Sequence, residues 1–311
     1  MILTVTANAS IDKRCVVDDF TDGEVNRIRE CVYSAGGKGL NVSHAAHIAG
    51  EEVTATGFLG GHAGHFIEEE LQKEGIISDF VWCRGESRSC LNIWNEAKKE
   101  QTEFLEPGFS ITSDKEEELV NKVRGLLSKV SVMTISGSVP KGSGSGLYKK
   151  LVSLGNGMGK KVILDTSGKL LSESLEADEK PFLIKPNMDE IRMLTGKNVS
   201  SVEEIKEAAD VLHAKGIPTV VISMGGDGAV MSAREGVFRA VVPKINAVNT
   251  VGCGDSMIGG FAVGFTAGLD VPECLRLASA VSAAAAMTDR TGFLYREDME
   301  KMLKQIKIER I

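Results

Sequence analysis

Short apolar runs typical of buried strands alternate along the chain with segments of helical periodicity. The strand-like runs occupy residues 2–6, 53–58, 132–135, 161–164, 182–184 and 219–223. The helical patterns occupy residues 40–49, 63–74, 115–129, 146–157, 188–195, 202–215 and 255–267, and the charged tail, 297–311, has the pattern of one more amphipathic helix. Strands of this kind are covered by helices, because neither face can remain in water. The alternation therefore predicts an α/β fold with a Rossmann-like, mostly parallel sheet and helices on both faces.

Two regions interrupt this alternation and have the polar turns of β-ribbons. They combine residues 14–20 with 26–33, and residues 89–94 with 102–105. Neither region contains a helical pattern that could cover a strand face. We predict that they form a small β-sheet lid, from about 13–34 and 88–106, on a single domain that spans residues 1–311. Ordinary surface hairpins are the alternative that the sequence leaves open.

Charge and composition exclude several classes of partner. The 311 residues carry a net charge of −7, whereas a nucleic-acid-binding surface needs clustered basic residues. No uninterrupted apolar run reaches the ~18 residues that a membrane span requires. The six cysteines are scattered without zinc spacing, and the N-terminus lacks the basic segment of a signal peptide. We therefore expect a cytoplasmic protein with reduced thiols that binds neither nucleic acid nor membrane.

The segment NTVGCGDS, residues 249–256, combines an anion-binding turn with a carboxylate. Gly252 and Gly254 let backbone N–H groups approach an anion, and the N-terminus of the helix that follows adds partial positive charge. The carboxylate of Asp255 is out of place beside an anion unless it accepts a proton. Phosphoryl transfer to a hydroxyl requires a phosphate-binding site next to a general base, and this segment offers both.

A second glycine-rich segment, AGGKGLNV at residues 35–42, precedes another helical pattern. Lys38 supplies a positive charge, and Asn41 supplies a directional amide. The structural alternative is a tight turn that caps the helix. Three glycines around a lysine favour an anion or sugar site over that alternative.

Two further polar segments follow predicted strands, where parallel sheets bind their ligands. In KPNMDE, residues 185–190, the side chains of Asn187 and Glu190 can cap a helix, or can orient water around a Mg²⁺ ion held mainly by nucleotide phosphates. The segment SMGGDG, residues 223–228, fits a hairpin turn and a nucleotide-contacting turn equally well.

Three single residues are ambiguous when they are considered alone. Asp12 follows the first strand and is more typical of a turn or a helix cap. Arg88 is more typical of a solvated surface, although its guanidinium could bind a phosphate. Ser138 offers a hydroxyl after a buried strand and is otherwise an ordinary loop residue.

Known nucleotide-binding motifs are absent from the sequence. No GxxxxGK[ST] segment occurs, no GxGxxG segment follows the first strand, and the protein-kinase signatures are missing. The phosphate chemistry must therefore use other loops.

Three of these segments together resemble the signatures of ribokinase-like (PfkB) carbohydrate kinases. They are AGGKGLNV at 35–42, KPNxxE at 185–190 and NTVGCGDS at 249–256. The resemblance follows the whole chain in order, and the GCGD motif with its flanks is its most specific part. The segments TVTANASID at 4–12 and VNR at 25–27 look like the branch that acts on phosphorylated hexoses, which includes tagatose-6-phosphate kinases and 1-phosphofructokinases.

The resemblance implies an ATP-dependent, Mg²⁺-assisted kinase with roles for individual residues. Asp255 would be the base, and the amides of Gly252, Cys253 and Gly254 would stabilise charge on the transferred phosphoryl group. The sugar hydroxyls would bind to Asp12, Gly37 and Asn41. The candidates for binding the substrate's own phosphate are Lys38, Arg88, Arg27 and Ser138. ATP and magnesium would use Lys185, Asn187, Glu190, Ser223, Gly225 and Gly228, with Asn187 and Glu190 acting on Mg²⁺ through water. Relatives often form a homodimer through the lid.

The chain departs from the family pattern at two positions. Cys253 replaces a residue that is commonly Ala or Ser, and its small side chain should preserve the turn. Glu103 stands in the second ribbon, where phosphofructokinase relatives have an arginine; residues 102–108 and 88–90 look more like tagatose-6-phosphate kinases. The expected reaction is therefore tagatose 6-phosphate to tagatose 1,6-bisphosphate, with fructose 1-phosphate to fructose 1,6-bisphosphate as the alternative.

A catalytically silent relative that senses a sugar phosphate is the alternative from another functional class. The presence of Asp255 and of the flanking glycines argues against it, because a sensor need not keep a base.

Overall fold

The large predicted sheet is present and contains eleven strands. The structure, a computed structural model, describes residues 1–197, 199 and 201–311. The strands are β1 (Ile2–Thr6), β2 (Ser10–Val17), β3 (Glu30–Gly36), β4 (Val53–Gly60), β5 (Ile77–Ser78), β6 (Val81–Cys83), β7 (Arg88–Asn95), β8 (Glu100–Leu105), β9 (Val132–Ser136), β10 (Lys161–Asp165), β11 (Leu183–Ile184), β12 (Thr219–Ser223), β13 (Ala229–Ala233), β14 (Gly236–Val241) and β15 (Lys307–Arg310). The helices are α1 (Lys38–Ile48), α2 (Gly61–Lys73), α3 (Ser113–Leu127), α4 (Ser145–Gly157), α5 (Gly168–Ser174), α6 (Met188–Thr195), α7 (Val202–Ala214), α8 (Cys253–Thr266), α9 (Val271–Ala286) and α10 (Arg296–Gln305).

The strand order of the large sheet is β15-β14-β13-β12-β11-β10-β9-β1-β4-β5, and β6 also pairs with β4. The neighbours from β12 to β5 are parallel, whereas β13, β14 and β15 add an antiparallel edge. Parallel strands end at one edge of a sheet, so the residues that follow β1, β9, β10, β11 and β12 lie side by side. The predicted α/β fold with a mostly parallel sheet is confirmed.

Two separate apolar cores cover the two faces of this sheet. One core contains residues of α1, α2, α8, α9 and α10, and the other contains residues of α3 to α7. Successive strand residues belong to different cores, as Ile2 and Leu3 of β1 illustrate. Side chains alternate across a strand, so a strand that is apolar throughout requires helices on both faces.

The two predicted ribbons form a separate sheet of order β3-β2-β7-β8. Its inner strands β2 and β7 run parallel, in a register that pairs Asp12 with Cys90. The outer strand β3 pairs antiparallel with β2 and continues to Gly36, which is further than predicted. The small sheet therefore leads directly into the glycine-rich segment at the start of α1.

All seven predicted interior helices are present, with ends displaced by at most two residues. The prediction missed α5 and α9. Helix α9 is rich in alanine and mostly buried, so it has no polar stripe to reveal its period. Its start is nonetheless marked, because the Asp270 side chain accepts a hydrogen bond from the Glu273 amide and Pro272 lies in the first turn.

The prediction that the charged tail is one helix to the last residue is wrong. Helix α10 ends at Gln305, and residues Lys307–Arg310 form β15. This short strand pairs antiparallel with β14 and covers the hydrogen-bonding edge that β14 would otherwise expose. Long-range pairing decides the conformation of these residues, and a local charge pattern does not reveal it.

No helix in the described ranges is long and apolar enough to cross a membrane.

Candidate active site

A cavity of about 590 Å³ opens at the carboxyl edge of the parallel strands, between the large sheet and the small one. The large sheet contributes residues at or just after its strand ends, which are Thr6, Ser136, Asp165, Lys185 and Ser223. The N-termini of α1 and α8 contribute Gly37, Lys38, Gly252, Gly254 and Asp255. The two glycine-rich segments and the strand-end loops therefore meet in one place.

The GCGD turn forms the N-terminus of α8 and presents free main-chain amides. Gly252 precedes the helix at φ 77°, and a Cβ atom at this position would lie 2.9 Å from Thr291 Cγ2. Both facts require glycine. In the part of the chain that the structure describes, the amides of Gly252, Gly254 and Asp255 have no hydrogen-bond acceptor. Free amides at a helix N-terminus favour an anion.

Asp255 is a buried carboxylate held by Asn41. The Asn41 Nδ2 atom on α1 donates a 2.8 Å hydrogen bond to Asp255 Oδ2 on α8. Burial raises the pKa of Asp255 to about 6, although the positive charges of Lys38 and Lys185 oppose the rise. At neutral pH the group is therefore ionised but easily protonated, as a general base should be.

Asp165, which ends β10, joins the two lysines of the cavity. Its Oδ1 atom lies 3.6 Å from Lys185 Nζ, and its Oδ2 atom lies 4.0 Å from Lys38 Nζ. The carboxylate of Asp165 raises the pKa of Lys38. Asp165 Oδ2 is buried and accepts no hydrogen bond from the described residues, so it can receive a ligand cation or a donor.

Lys185 lies against the N-terminus of α8. A Cβ atom at Gly254 would be 3.1 Å from the Lys185 ammonium nitrogen. The helix N-terminus and the ammonium group are both positive, and their proximity is favourable only when negative charge lies between or beside them. Asp165 and Asp255 supply some of this charge, and a phosphate group would add to it.

Asp12 lies at the junction of the small sheet and α1. Ser10 Oγ donates a 2.7 Å hydrogen bond to Asp12 Oδ1, and the main chain of Gly37 also hydrogen-bonds this carboxylate. Burial raises the pKa of Asp12 against the effect of these two hydrogen bonds. A Cβ atom at Gly36 would lie only 2.1 Å from Asp12 Cγ, so glycine is required there.

Arg88 and Ser138 both border the cavity and both contact Asn8. Asn8 Nδ2 donates to Ser138 Oγ at 3.1 Å. Arg88 Nε donates to the Asn8 carbonyl at 3.0 Å, and Arg88 Nη1 donates to the Glu106 carbonyl at 3.2 Å. Main-chain carbonyls therefore occupy two of the five N–H groups of Arg88 and orient its side chain.

The KPNMDE segment forms a capping box at the start of α6. The Asn187 side-chain oxygen accepts hydrogen bonds from the main-chain amides of Asp189 and Glu190. In return, the main-chain amide of Asn187 donates to Glu190 Oε2 at 2.9 Å. Both side chains also line the cavity. The helix-capping prediction is confirmed, and a contact with magnesium or nucleotide stays a prediction.

The oxygen donors at this end of the cavity fit a hard cation such as Mg²⁺. Asp165 offers a buried carboxylate oxygen that accepts no hydrogen bond from the described residues, and Glu190 and Asn187 also line the cavity. Among the described residues, no three His, Cys, Asp or Glu side chains form a cluster that could enclose a metal. The donor set therefore suits an ion that takes most of its ligands from phosphates and water.

Four predicted site residues do not line the cavity of a single chain. Arg27 is exposed in the loop between β2 and β3 and does not line the cavity of its own chain. Its predicted contact with the substrate phosphate therefore has no support within a single chain. Cys253 directs its thiol at the Asn249 carbonyl, 3.6 Å away, and burial raises its pKa to about 12. Gly225 and Gly228 lie in the turn that joins β12 to β13, and only Ser223 of that segment reaches the cavity.

The sequence analysis missed two cavity residues of evident chemical interest, Asp165 and Arg14. Asp165 directly follows the predicted strand 161–164 at the ligand-binding edge, and this position was the signal that could have identified it. Nothing in the sequence around Arg14 indicated that it lines the cavity, because a charged residue in a β-ribbon is usually solvated.

The chain is similar to known proteins over nearly its whole length. Residues 3–296 match the pfkB family of carbohydrate kinases. The chain is 37% identical over 309 residues to a tagatose-6-phosphate kinase of Staphylococcus epidermidis, covering 99% of each chain. The chain is also 27% identical to phosphofructokinase-2 of Escherichia coli, solved in complex with fructose-6-phosphate, with a TM-score of 0.90 over 98% of each chain. A Thermotoga maritima structure described as a possible 1-phosphofructokinase has a TM-score of 0.90 and 29% identity, over 100% of this chain and 99% of that chain.

The family match covers nearly the whole chain, and the Staphylococcus epidermidis tagatose-6-phosphate kinase aligns with it over 99% of each chain. The resemblance that the three motifs carried is confirmed, and so is the expectation of a phosphotransferase. The chain belongs to the pfkB family of carbohydrate kinases.

Proposed function

We propose that this kinase transfers the γ-phosphoryl group of ATP to a hydroxyl of a ketohexose phosphate and releases a bisphosphate. The observation that carries the proposal is the buried Asp255, held by Asn41 beside the free amides of Gly252 and Gly254. A base and an anion site in contact are what this transfer requires. The relative of 37% identity, a tagatose-6-phosphate kinase, supports tagatose 6-phosphate as the substrate.

Asp255 acts as the base that accepts the proton of the attacking hydroxyl. Its pKa of about 6 lies close enough to neutral pH for efficient proton transfer. Asn41 directs one carboxylate oxygen by its hydrogen bond, which leaves the other oxygen for the substrate. The proton leaves the hydroxyl as its oxygen bonds to the γ-phosphorus, and the bond from that phosphorus to the bridging oxygen breaks, so that ADP leaves with the bonding electrons. Asp255 holds the proton until the product departs.

The N-terminus of α8 stabilises the charge of the transferred group. The amides of Gly252 and Gly254 have no competing acceptor among the described residues, so they are available to phosphoryl oxygens. The Cys253 thiol and amide both have acceptors already, the Asn249 carbonyl at 3.6 Å and the Thr250 carbonyl at 3.4 Å, so its predicted contact with the phosphoryl group requires the long amide bond to be shared. Lys185 adds a positive charge at the same place and orients the terminal phosphate.

Mg²⁺ is proposed as the metal cofactor, and it would neutralise charge on the nucleotide phosphates when bound. Asp165, Asn187 and Glu190 would hold it, with Asn187 and Glu190 acting through water. The hydroxyl of Ser223, which also lines the cavity, is proposed to contact the nucleotide. Gly225 and Gly228 are proposed to shape the turn next to Ser223.

The sugar is proposed to bind between the small sheet and α1. Asp12, Gly37 and Asn41 would hold its hydroxyls, and Lys38, Arg88 and Ser138 would bind its phosphate. Arg88 still has free N–H groups for this purpose, because carbonyls occupy only some of its donors. Fructose 1-phosphate is the second candidate substrate, favoured by the structural match to the Thermotoga maritima protein.

We further propose that the small sheet acts as a lid and forms a homodimer interface. Large apolar side chains are exposed on it and on its β2–β3 loop, including Val25 at 83%, Tyr33 at 52% and Leu105 at 64%. Exposed apolar groups of this kind mark association surfaces. Arg27 lies in the same loop, so its predicted contact with a substrate phosphate depends on this assembly.

The experiment measures ADP release with four acceptors: tagatose 6-phosphate, fructose 1-phosphate, fructose 6-phosphate and unphosphorylated fructose. We expect the highest kcat/KM with tagatose 6-phosphate. A preference for fructose 1-phosphate would select the second candidate. A protein that binds these sugars but releases no ADP with any of them would be the silent sensor, and the proposal would be wrong.

A further inference from the structure

Arg14 lies on β2 two residues beyond Asp12 and has no part in the chemistry at Asp255. Alternate residues of a strand share a face, so Arg14 lies on the face that carries Asp12. The residues paired with it, Val32 on β3 and Asn92 on β7, also line the cavity. Arg14 is half-buried and borders the end of the cavity that the small sheet forms.

The lysines that line the cavity already have partners. Lys38 and Lys185 lie 4.0 and 3.6 Å from the carboxylate of Asp165. Lys13, the neighbour of Arg14, places its ammonium group 5.7 Å from the centre of the Tyr33 ring. These three charges are therefore engaged before any substrate arrives.

The other arginines of the cavity are engaged as well. Arg88 donates to two main-chain carbonyls. Arg290 lies 3.6 Å from the Glu74 carboxylate and 4.1 Å from the centre of the Phe293 ring. The side chain of Arg14, in contrast, has no hydrogen bond, ion pair or ring contact with any residue in the described ranges. All five N–H donors of its guanidinium are available.

We propose that Arg14 is a further ligand of the phosphate group that the ketohexose phosphate already carries, in addition to the donors that Lys38, Arg88 and Ser138 still offer. The inference rests on the proposed function, since it concerns the same substrate. A guanidinium presents a planar pair of N–H groups that matches two phosphate oxygens, and such charge-assisted pairs are among the stronger hydrogen bonds. A free guanidinium at the wall of a cavity that receives a dianion is placed to form one.

The position of Arg14 along β2 agrees with this role. Two strand residues span about 7 Å, so Arg14 lies about that far from Asp12, on the side away from α1. The sugar hydroxyls are proposed to bind at Asp12 and at the start of α1. A phosphate at Arg14 therefore projects from the sugar away from the oxygen that reacts at Asp255.

The surroundings of Arg14 leave its charge without a counterion. Glu103 on β8 is the acidic residue two strands away, and Asn92 stands between them in the sheet register. Asn92 Nδ2 and Gln101 Nε2 each donate 3.3 Å hydrogen bonds to Glu103 Oε1. Two side-chain amides thus orient Glu103, and its carboxylate forms no ion pair with Arg14 among the described residues. A substrate phosphate is the partner that the site lacks.

The test compares Arg14→Ala and Arg14→Lys with the wild-type protein, using a phosphorylated ketohexose and the same sugar without phosphate. Arg14→Ala should raise the KM for the phosphorylated sugar about 10- to 100-fold, the loss expected for a charge-assisted contact. The KM for ATP and the kcat/KM for the unphosphorylated sugar should stay at their wild-type values. Arg14→Lys should recover part of the affinity, because lysine keeps the positive charge but lacks the planar pair of N–H groups.

Arg296→Ala is the matched control, because Arg296 is an exposed arginine on α10, 3.4 Å from Glu300 Oε1, and does not line the cavity. Its kinetics should equal those of the wild type, and melting curves establish that each variant folds. An Arg14→Ala variant with an unchanged KM, or with equal losses for both sugars, would overturn this inference and leave the proposed function standing. A wild-type protein that phosphorylates no ketohexose phosphate would instead overturn the proposed function and this inference with it.

Discussion

The amide of Asn41 and the carboxylate of Asp255 are joined by a 2.8 Å hydrogen bond across 214 positions of sequence. The bond connects the first turns of α1 and α8, the two helices that begin with the glycine-rich segments. It orients the proposed base and lowers the pKa of Asp255 against the effect of burial. One side chain of the proposed sugar site therefore also tunes the acidity of the proposed base.

Replacement of Asp255 by asparagine should lower kcat by roughly 10²- to 10⁴-fold, the usual loss for a general base. Asparagine has nearly the same shape, so the N-terminus of α8 should keep its conformation and the KM for ATP should change little. Steady-state kinetics with saturating sugar and varied ATP check this. Wild-type turnover in this variant would remove Asp255 from its role as base.

The pH dependence of kcat should report the titration of Asp255. Burial raises its pKa to about 6, and the base works only when it is deprotonated. Below that pH, kcat should fall about tenfold for each pH unit, and above it kcat should become constant. The profile is measured at saturating concentrations of both substrates. A kcat that stays constant from about pH 5 to about pH 8 would contradict the assignment.

Substitution of Asn41 by alanine should move this inflection to higher pH. The variant loses the hydrogen bond that favours the ionised form of Asp255, so burial is opposed only by the lysines. The kcat at neutral pH should fall more than the kcat at higher pH, and the two profiles should converge in alkaline buffer. An inflection at the wild-type position would mean that Asn41 serves the sugar alone.

Substitution of Gly36 by alanine should disturb the sugar site. The new Cβ atom would lie 2.1 Å from Asp12 Cγ, so the carboxylate must move. We expect the KM for the sugar phosphate to rise by an order of magnitude or more, roughly the effect of 1–3 kcal/mol of overpacking. Gly125→Ala is the control, because nothing lies within 4 Å of a Cβ atom there. Equal KM values in the two variants would separate Asp12 from sugar binding.

Local pattern was sufficient to predict the layered fold and two of the site's elements. Strands that are apolar on both faces require helices on both sides, and the structure has the two cores that this implies. The KPNMDE segment predicted its own capping box, because Asn187 and Glu190 are three positions apart on one turn. The GCGD turn begins a helix, and the amides of Gly252 and Gly254 have no acceptor among the described residues, as the two glycines indicated.

The same local reasoning could not predict distances between remote residues. Asp165 lies between Lys38 and Lys185 because β10 and β11 are neighbours in the sheet and α1 begins at the same edge. Nothing near Asp165 in the sequence indicates either lysine. Local pattern also failed at the tail, where β15 exists because β14 offers it an unpaired edge.

The sequence by itself determined the α/β layers, the glycine-rich N-terminus of α8 and the carboxylate beside it, because each depends on residues a few positions apart. Tertiary structure alone decided which charges meet Asp255, which donors of Arg88 are already occupied, and that Arg14 remains free at the cavity wall. These properties depend on burial and on the spacing of elements far apart in the chain. Coulomb and desolvation effects follow those distances, so they arise only when the sheet and its helices have packed.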